Sequence, residues 1–399
     1  MRTFHAFLFS IAALAVLPSV AAAGSPTCVS PETKLSWPAI NPVWEMCWLG
    51  PHQSVGARGS GLELRNVYWN GTLVLRRAHA PMLFAEYKDG AGGDCYRDWK
   101  DERVSILAAN VVQNQLGTPP GDAAITSCDR SHDPTASYGN CPYGLPTPSG
   151  YGCAQGVMIE DLGDHVRLTT QYVAGWYMYS SRFEFYSDGR IAPTFGFGNR
   201  SGTYNNVTHW HHNYWRLEFD IDGLGNNVIS QNDVDQTTEF DALRSATGGP
   251  GGSARTWEVR NATSGNGYRL VPGVNDYTIP ANESGRGYHT TDFMATRANT
   301  SEYGDTPSYN LSDCQMHKAN LVNGQSIANT NQAIYYRVGV RDATANSWPV
   351  GGPFIPQDSM VCKTGGPQFV PFGPWAAVDL IFASGFDALV PGARFMPTL

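Results

Sequence analysis

The chain has 399 residues, of which 42% are apolar, 16% charged and 12% aromatic, with a net charge of −8. Little charge, 43 glycines and 26 prolines exclude a coiled coil, a helical bundle and a disordered chain. The acidic balance argues against nucleic acid as a partner.

The first residues read as a secretory leader: Arg2, an apolar run from Phe7 to Leu17, then Ala21-Ala22-Ala23 before Gly24. The expected organisation is a signal peptide over 1–23, cleaved after Ala23, and a single domain over 24–399 ending in a short tail. The protein is expected to be secreted or periplasmic. The leader is short for a bilayer span and no later stretch is apolar enough, so no membrane partner is expected. Eight cysteines, at 28, 47, 95, 128, 141, 153, 314 and 362, fit an oxidising compartment. None forms a C-x-x-C, which excludes zinc ribbons and thioredoxin-like motifs. Cys28 with Cys47 and Cys128 with Cys153 make short local loops; the sequence leaves the pairing open. Asn-x-Ser/Thr acceptors occur at Asn70, Asn199, Asn206, Asn261, Asn282, Asn299 and Asn310. They read equally as glycan sites and as chance in a chain rich in Asn, Ser and Thr.

In chain order, the dominant pattern has period two. Leu62 to Trp69 alternates, stops at Asn70-Gly71 and restarts at Thr72-Leu-Val-Leu, a hairpin signal. Ser105 to Gln115 is the best candidate for a helix, and Thr118 to Gly152 reads as a long loop. Val166 to Val173 is a strand. Arg182 to Tyr186, the turn Ser187-Asp188-Gly189 and Arg190 to Phe195 form a second hairpin. Leu217, Phe219 and Ile221 alternate with charged residues up to Gly223. A Gly-rich loop spans Ala246 to Ala254, and a late strand runs from Ala333 to Val340. The fold class is all-β: one large antiparallel β-sandwich.

No G-x-S-x-G, H-E-x-x-H, Walker loop or helix-opening G-x-G-x-x-G is present. The chemistry-bearing segment is Thr208-His209-Trp210-His211-His212. Residues i and i+2 of a strand share a face, so His209 and His211 can offer two imidazoles to one ion. Steps of two from them reach Leu217 and Phe219, so without a bulge the pair points inward. Imidazole pairs suit copper, zinc, nickel or iron; a histidine-rich surface edge is the plainer alternative. The aromatic cluster Val173 to Tyr179 reads on its own as sandwich core.

Taken together, these segments resemble the copper amine oxidase family, the topaquinone enzymes. Gly61-Leu-Glu-Leu-Arg-Asn-Val-Tyr, Val74-Leu-Arg-Arg-Ala and Met82-Leu-Phe-Ala-Glu-Tyr are similar to the opening of its catalytic domain. Further matches are Arg255-Thr-Trp-Glu-Val-Arg-Asn with Gly267-Tyr-Arg-Leu-Val-Pro-Gly, and Asn329 to Val340. The resemblance implies the family's catalytic β-sandwich without the smaller domains that precede it, and a homodimer. It places Tyr177 as the topaquinone precursor, and His209 and His211 as copper ligands. Asp342 stands where the third histidine belongs. Asp98, with Asp101 as runner-up, falls at the base that removes the α-proton of the bound amine. Glu218, Asp220 and Asn331 match a peripheral calcium site. The implied activity oxidises a primary amine with O2 to aldehyde, ammonia and hydrogen peroxide.

The chain departs from the family pattern at several positions. Trp176 and Met178 flank Tyr177 where the family has asparagine and an acid, and Lys100 replaces a glycine beside the base. Two histidines and a carboxylate are also the ligand set of mononuclear iron oxygenases. Two other readings therefore stand beside the first: a His-His-Asp metal oxidase without quinone, and a non-catalytic secreted relative serving as a structural or metal-binding module.

Overall fold

The computed structural model describes residues 24–50, 53–55, 62–87, 95–97, 157–174, 177–199, 209–223, 225–244, 255–273, 287–299, 304, 315–342 and 363–375. Its strands in chain order are β1 (Thr33–Trp37), β2 (Trp44–Leu49), β3 (Glu63–Trp69), β4 (Thr72–Tyr87), β5 (Cys95–Arg97), β6 (Met158–Asp161), β7 (His165–Ala174), β8 (Tyr177–Tyr186), β9 (Ile191–Asn199) and β10 (His209–Phe219). They continue as β11 (Asn227–Gln231), β12 (Val234–Gln236), β13 (Phe240–Ala242), β14 (Trp257–Asn261), β15 (Gly267–Val271), β16 (Phe293–Arg297), β17 (Gln332–Asp342), β18 (Lys363–Gly365) and β19 (Gln368–Phe372). Among the described residues the only helices are two short 3-10 turns, Gly287–Thr290 and Lys318–Asn320, and no helix is long and apolar enough to cross a membrane.

The strands form two antiparallel sheets. The first runs β1-β2-β3-β4-β10-β17-β16-β13, with β5 on β4; the second runs β12-β11-β14-β15-β19-β9-β8-β7-β6, with β18 on β9. Contacts between the sheets are mostly aromatic. Trp44 packs on Phe185 at 4.9 Å, Phe183 on Trp215 at 4.9 Å, Phe219 on Phe369 at 5.5 Å, and Trp257 stacks on Phe293 at 4.4 Å. One apolar cluster fills this space and a smaller one lies behind the first sheet around Phe84, Tyr214, Tyr288 and Tyr335. The β-sandwich expected from the period-two pattern is the fold.

The two turn signals act as the sequence implies. Asn70 and Gly71 take φ of 49° and 74°, the left-handed pair of a type I′ hairpin turn. Strand β4 then runs 16 residues, well beyond the short restart visible in the sequence, because it carries partners on both flanks. Gly189 closes the β8–β9 hairpin at φ 91°, and the Trp69 ring lies where its Cβ would be. Ser105 to Gln115, Thr118 to Gly152 and Ala246 to Ala254 lie outside the described residues. Tyr177, read with a strand ending, instead opens β8.

Cys28 and Cys47 form a disulfide, as their spacing suggested, and Cys95 is also disulfide-bonded. Cys128 and Cys153 lie outside the described residues. The Cys28–Glu32–Cys47 cluster has metal-like spacing, but both sulfurs are spent in that disulfide. Asn261 is buried; its amide donates to the Ile221 carbonyl at 2.7 Å and accepts from the Thr263 and Ser264 N–H groups. That acceptor motif is structural: in the folded chain its nitrogen is out of reach of a glycan.

Gly189→Ala should lower stability by about 1–3 kcal/mol, since the methyl group meets both a left-handed backbone and the Trp69 ring. A denaturant melt with unchanged midpoint would contradict the inter-sheet role of this turn.

Candidate metal centre

Strand β10 lies between β4 and β17 in the middle of the first sheet. Its register with β17 is unbroken from His209↔Asp342 to Phe219↔Gln332. Against β4 it is regular from His209 to Tyr214, with irregularities only beyond Tyr214 and Glu218. Alternation therefore holds across the histidines. His211 faces the inter-sheet space, with Val340 and Ala85 of the core beside it. His212 faces the opposite side, beside Gly339 and Phe84. Both imidazoles are fully buried, so the surface-edge alternative does not hold for them.

Across the sandwich, His211 meets Tyr179 of β8. The phenol oxygen lies 2.8 Å from His211 Nδ1, and the rings meet edge to face at 5.5 Å. Four residues on, Phe183 meets Trp215, so β8 and β10 run alongside with a constant offset of 32 residues. The same offset matches Tyr177 with His209 at the opening ends of both strands. Asp342 is the direct cross-strand partner of His209. Backbone placement thus brings positions 177, 209, 211 and 342 to one end of the sandwich. Asp98 and Asp101 lie outside the described residues. The sequence alone gives Tyr179 only a place in an aromatic cluster, although it shares strand parity with Tyr177.

On the reverse face a buried polar chain fixes His212. Arg337 Nη1 lies 3.1 Å from His212 Nδ1. A guanidinium only donates, so Nδ1 accepts and the ring's hydrogen sits on Nε2. That nitrogen donates to Glu86 Oε2 at 3.1 Å. Arg337 is held in turn by Asp292, with Nε 3.0 Å from Oδ1, and the other Asp292 oxygen accepts the Arg244 N–H at 2.7 Å. A Cβ at Gly339 would collide with Arg337 Nη1 and crowd His212 Nδ1. The glycine opposite His212 is what lets the arginine reach the imidazole.

Glu218, Asp220 and Asn331 gather at the far end of β10. Asn331 donates to Glu218 at 2.5 Å, and Arg216 donates to the other Glu218 oxygen at 3.1 Å. Asp220 accepts from Arg76 at 2.5 Å. Burial raises the Asp220 carboxyl above its ordinary range, against the pull of Arg76. A calcium ion at these residues would compete with two guanidinium groups.

No family model matches the chain, and no curated protein matches it. Among solved structures, the copper-containing benzylamine oxidase of Hansenula polymorpha aligns over 85% of this chain at TM-score 0.59 and 14% identity. The lysyl oxidase of Pichia pastoris aligns over 83% at TM-score 0.48 and 11% identity, and the amine oxidase of Aspergillus nidulans over 89% at TM-score 0.47 and 14% identity. The chain spans 59%, 51% and 55% of those three proteins, respectively. On the benzylamine oxidase alignment, its two sheets have a copper amine oxidase-like β-sandwich fold.

Proposed function

We propose that the protein is a secreted metallo-oxidase of the amine oxidase type, acting on a primary amine with O2 as a homodimer. The observation that carries this reading is the shared offset of β8 and β10, which brings the Tyr177 and His209 positions to one end, with Asp342 beside His209.

The donor set fits copper: two imidazoles and a carboxylate from adjacent strands, backed by a buried phenol. In a ligating histidine the second nitrogen is normally engaged by an outer partner, which fixes ring and tautomer. Tyr179 supplies that partner at His211 Nδ1, so coordination falls to Nε2. A metal on Nε2 would leave the ring hydrogen on Nδ1, where it would donate to the Tyr179 oxygen. His209 and Asp342 would supply the remaining protein ligands, with Asp342 the anionic one. Tyr177 is the quinone precursor; topaquinone would supply the carbonyl that takes the amine nitrogen. Asp98, as a carboxylate, removes the α-proton of the bound amine. The apolar residues around His211 keep bulk water from the ring.

A second reading is favoured by one observation, the pairing of Asp342 with His209. Two histidines and a carboxylate also make an iron site that needs no quinone. Metal content and absorbance of the purified protein separate the readings. Copper with a quinone band supports the first, iron without the band the second. A colourless, metal-free protein leaves a non-catalytic relative.

His209→Ala and His211→Ala should each abolish stoichiometric metal, while His212→Gln, which keeps a donor toward Glu86, should retain it. Equal loss from all three would contradict the alternation. Tyr179→Phe should weaken metal affinity by about 10–100-fold in a competition titration; unchanged affinity would remove Tyr179 from the site. Asp342→His should preserve or strengthen copper binding. Apo-protein with this change, given copper and air, should gain a quinone absorbance and a mass shift on the peptide carrying residue 177, both lost on adding Tyr177→Phe. Copper uptake with Tyr177 unmodified would show that the missing third imidazole is not what prevents the oxidation.

A further inference from the structure

Asn213 is the next inward-facing residue of β10 after His211. It is fully buried, and neither its amide nitrogen nor its amide oxygen has a hydrogen-bond partner. Its cross-strand neighbours are Val338 and Leu83, both members of the apolar core, so the sheet offers it nothing. Across the sandwich it falls between the Tyr179–His211 and Phe183–Trp215 contacts, at the level of buried Ser181. A buried amide without partners costs free energy, and leucine would fill similar volume without that cost. Such a residue points to a polar occupant.

The chemistry of the occupant follows from what surrounds it. On one side lies His211, a ligand of the proposed metal; on the other lies an N–H donor, with Val338, Leu83 and Trp215 around them. A metal held by His211 and an N–H donor at the next inward position of the same strand, with buried Ser181 at the same level, select a small anion.

We propose that Asn213 is the inner wall of the metal centre, its amide hydrogen-bonding a small anionic ligand of the metal, hydroxide in the resting protein. This inference rests on the metal reading given above. Asn213 is a positioning residue, not a ligand: the metal is held without it. Hydroxide both accepts and donates, and so suits an amide. Azide, which only accepts, is the probe.

The test uses the full-length protein loaded with copper. Copper affinity is measured by competition titration and azide affinity from its charge-transfer absorbance. Asn213→Ala and Asn213→Leu should bind copper like wild type, yet bind azide about tenfold or more weakly, the loss expected for a hydrogen bond to a charged group. Asn213→Ser, which keeps a donor, should stay closer to wild type than either. Metal-free Asn213→Leu should melt no lower than wild type, because an unsatisfied amide has been removed. Equal azide affinity in wild type and Asn213→Ala overturns the inference and leaves the metal reading intact. Weaker azide binding in the leucine variant alone shows only lost space, and overturns it too. Wild-type protein that takes up no copper overturns the metal reading and this inference with it.

Discussion

The register of β10 is the constraint on which the site depends. A strand paired on both flanks cannot shift by one residue without exchanging its two faces. Here that slip would send His211 behind the sheet and bring His212 into the sandwich. Both edges resist it. The ladder with β17 runs unbroken along all of β10, and the ladder with β4 is regular wherever the histidines lie. The irregularities occur farther along, after Tyr214, where the residues facing the interior are apolar. A bulge there can adjust twist without moving an imidazole.

Two adjacent buried histidines consequently live in different chemistries. His212 is enclosed by Glu86, Arg337 and Asp292, a chain in which each link is a hydrogen bond within the first sheet or its covering loop. Removing Arg337 or Asp292 would leave its partner's charge buried and uncompensated, so the chain acts as a lock. It ties β4, β10 and β17 together directly behind the inward-facing ring. His211 has its link across the sandwich, to a phenol on the opposite sheet. One face thus supplies rigidity and the other a nitrogen aimed by a partner, the combination that a preorganised ligand needs.

Much of the fold was legible in the sequence because its cues are local. Asn70-Gly71 and Ser187-Asp188-Gly189 mark their hairpins within four residues, and period-two alternation marks the faces. The His209-x-His211 spacing gives a same-face pair by the same logic. What the sequence could not display is pairing between distant segments. Glu86 and Arg337 lie 126 and 125 residues from His212, and no local pattern announces them. Tyr179 was hidden differently: among so many aromatics a core role is the default, and only the alignment of the two sheets singles it out. Asn213 has no local cue either, because a lone asparagine on a strand carries no motif. Its isolation becomes visible only when Val338 and Leu83 are known to flank it.

Asp342 and Asn213 bear on the same electrostatic question from opposite sides. In the proposed site a carboxylate beside His209 lowers the net charge of the metal centre relative to three neutral imidazoles. A less positive centre attracts a further anion more weakly and raises the cost of ionising a nearby phenol. An N–H donor on the interior side works against that loss, because in a low-dielectric setting a fixed dipole acts strongly. The two features are then coupled. With Asp342 as ligand, retention of a small anion leans on Asn213; with histidine at 342 the metal's own charge suffices. The azide deficit of Asn213→Ala should accordingly shrink when Asp342→His is added. A deficit of the same size in both backgrounds would mean that the two residues act independently.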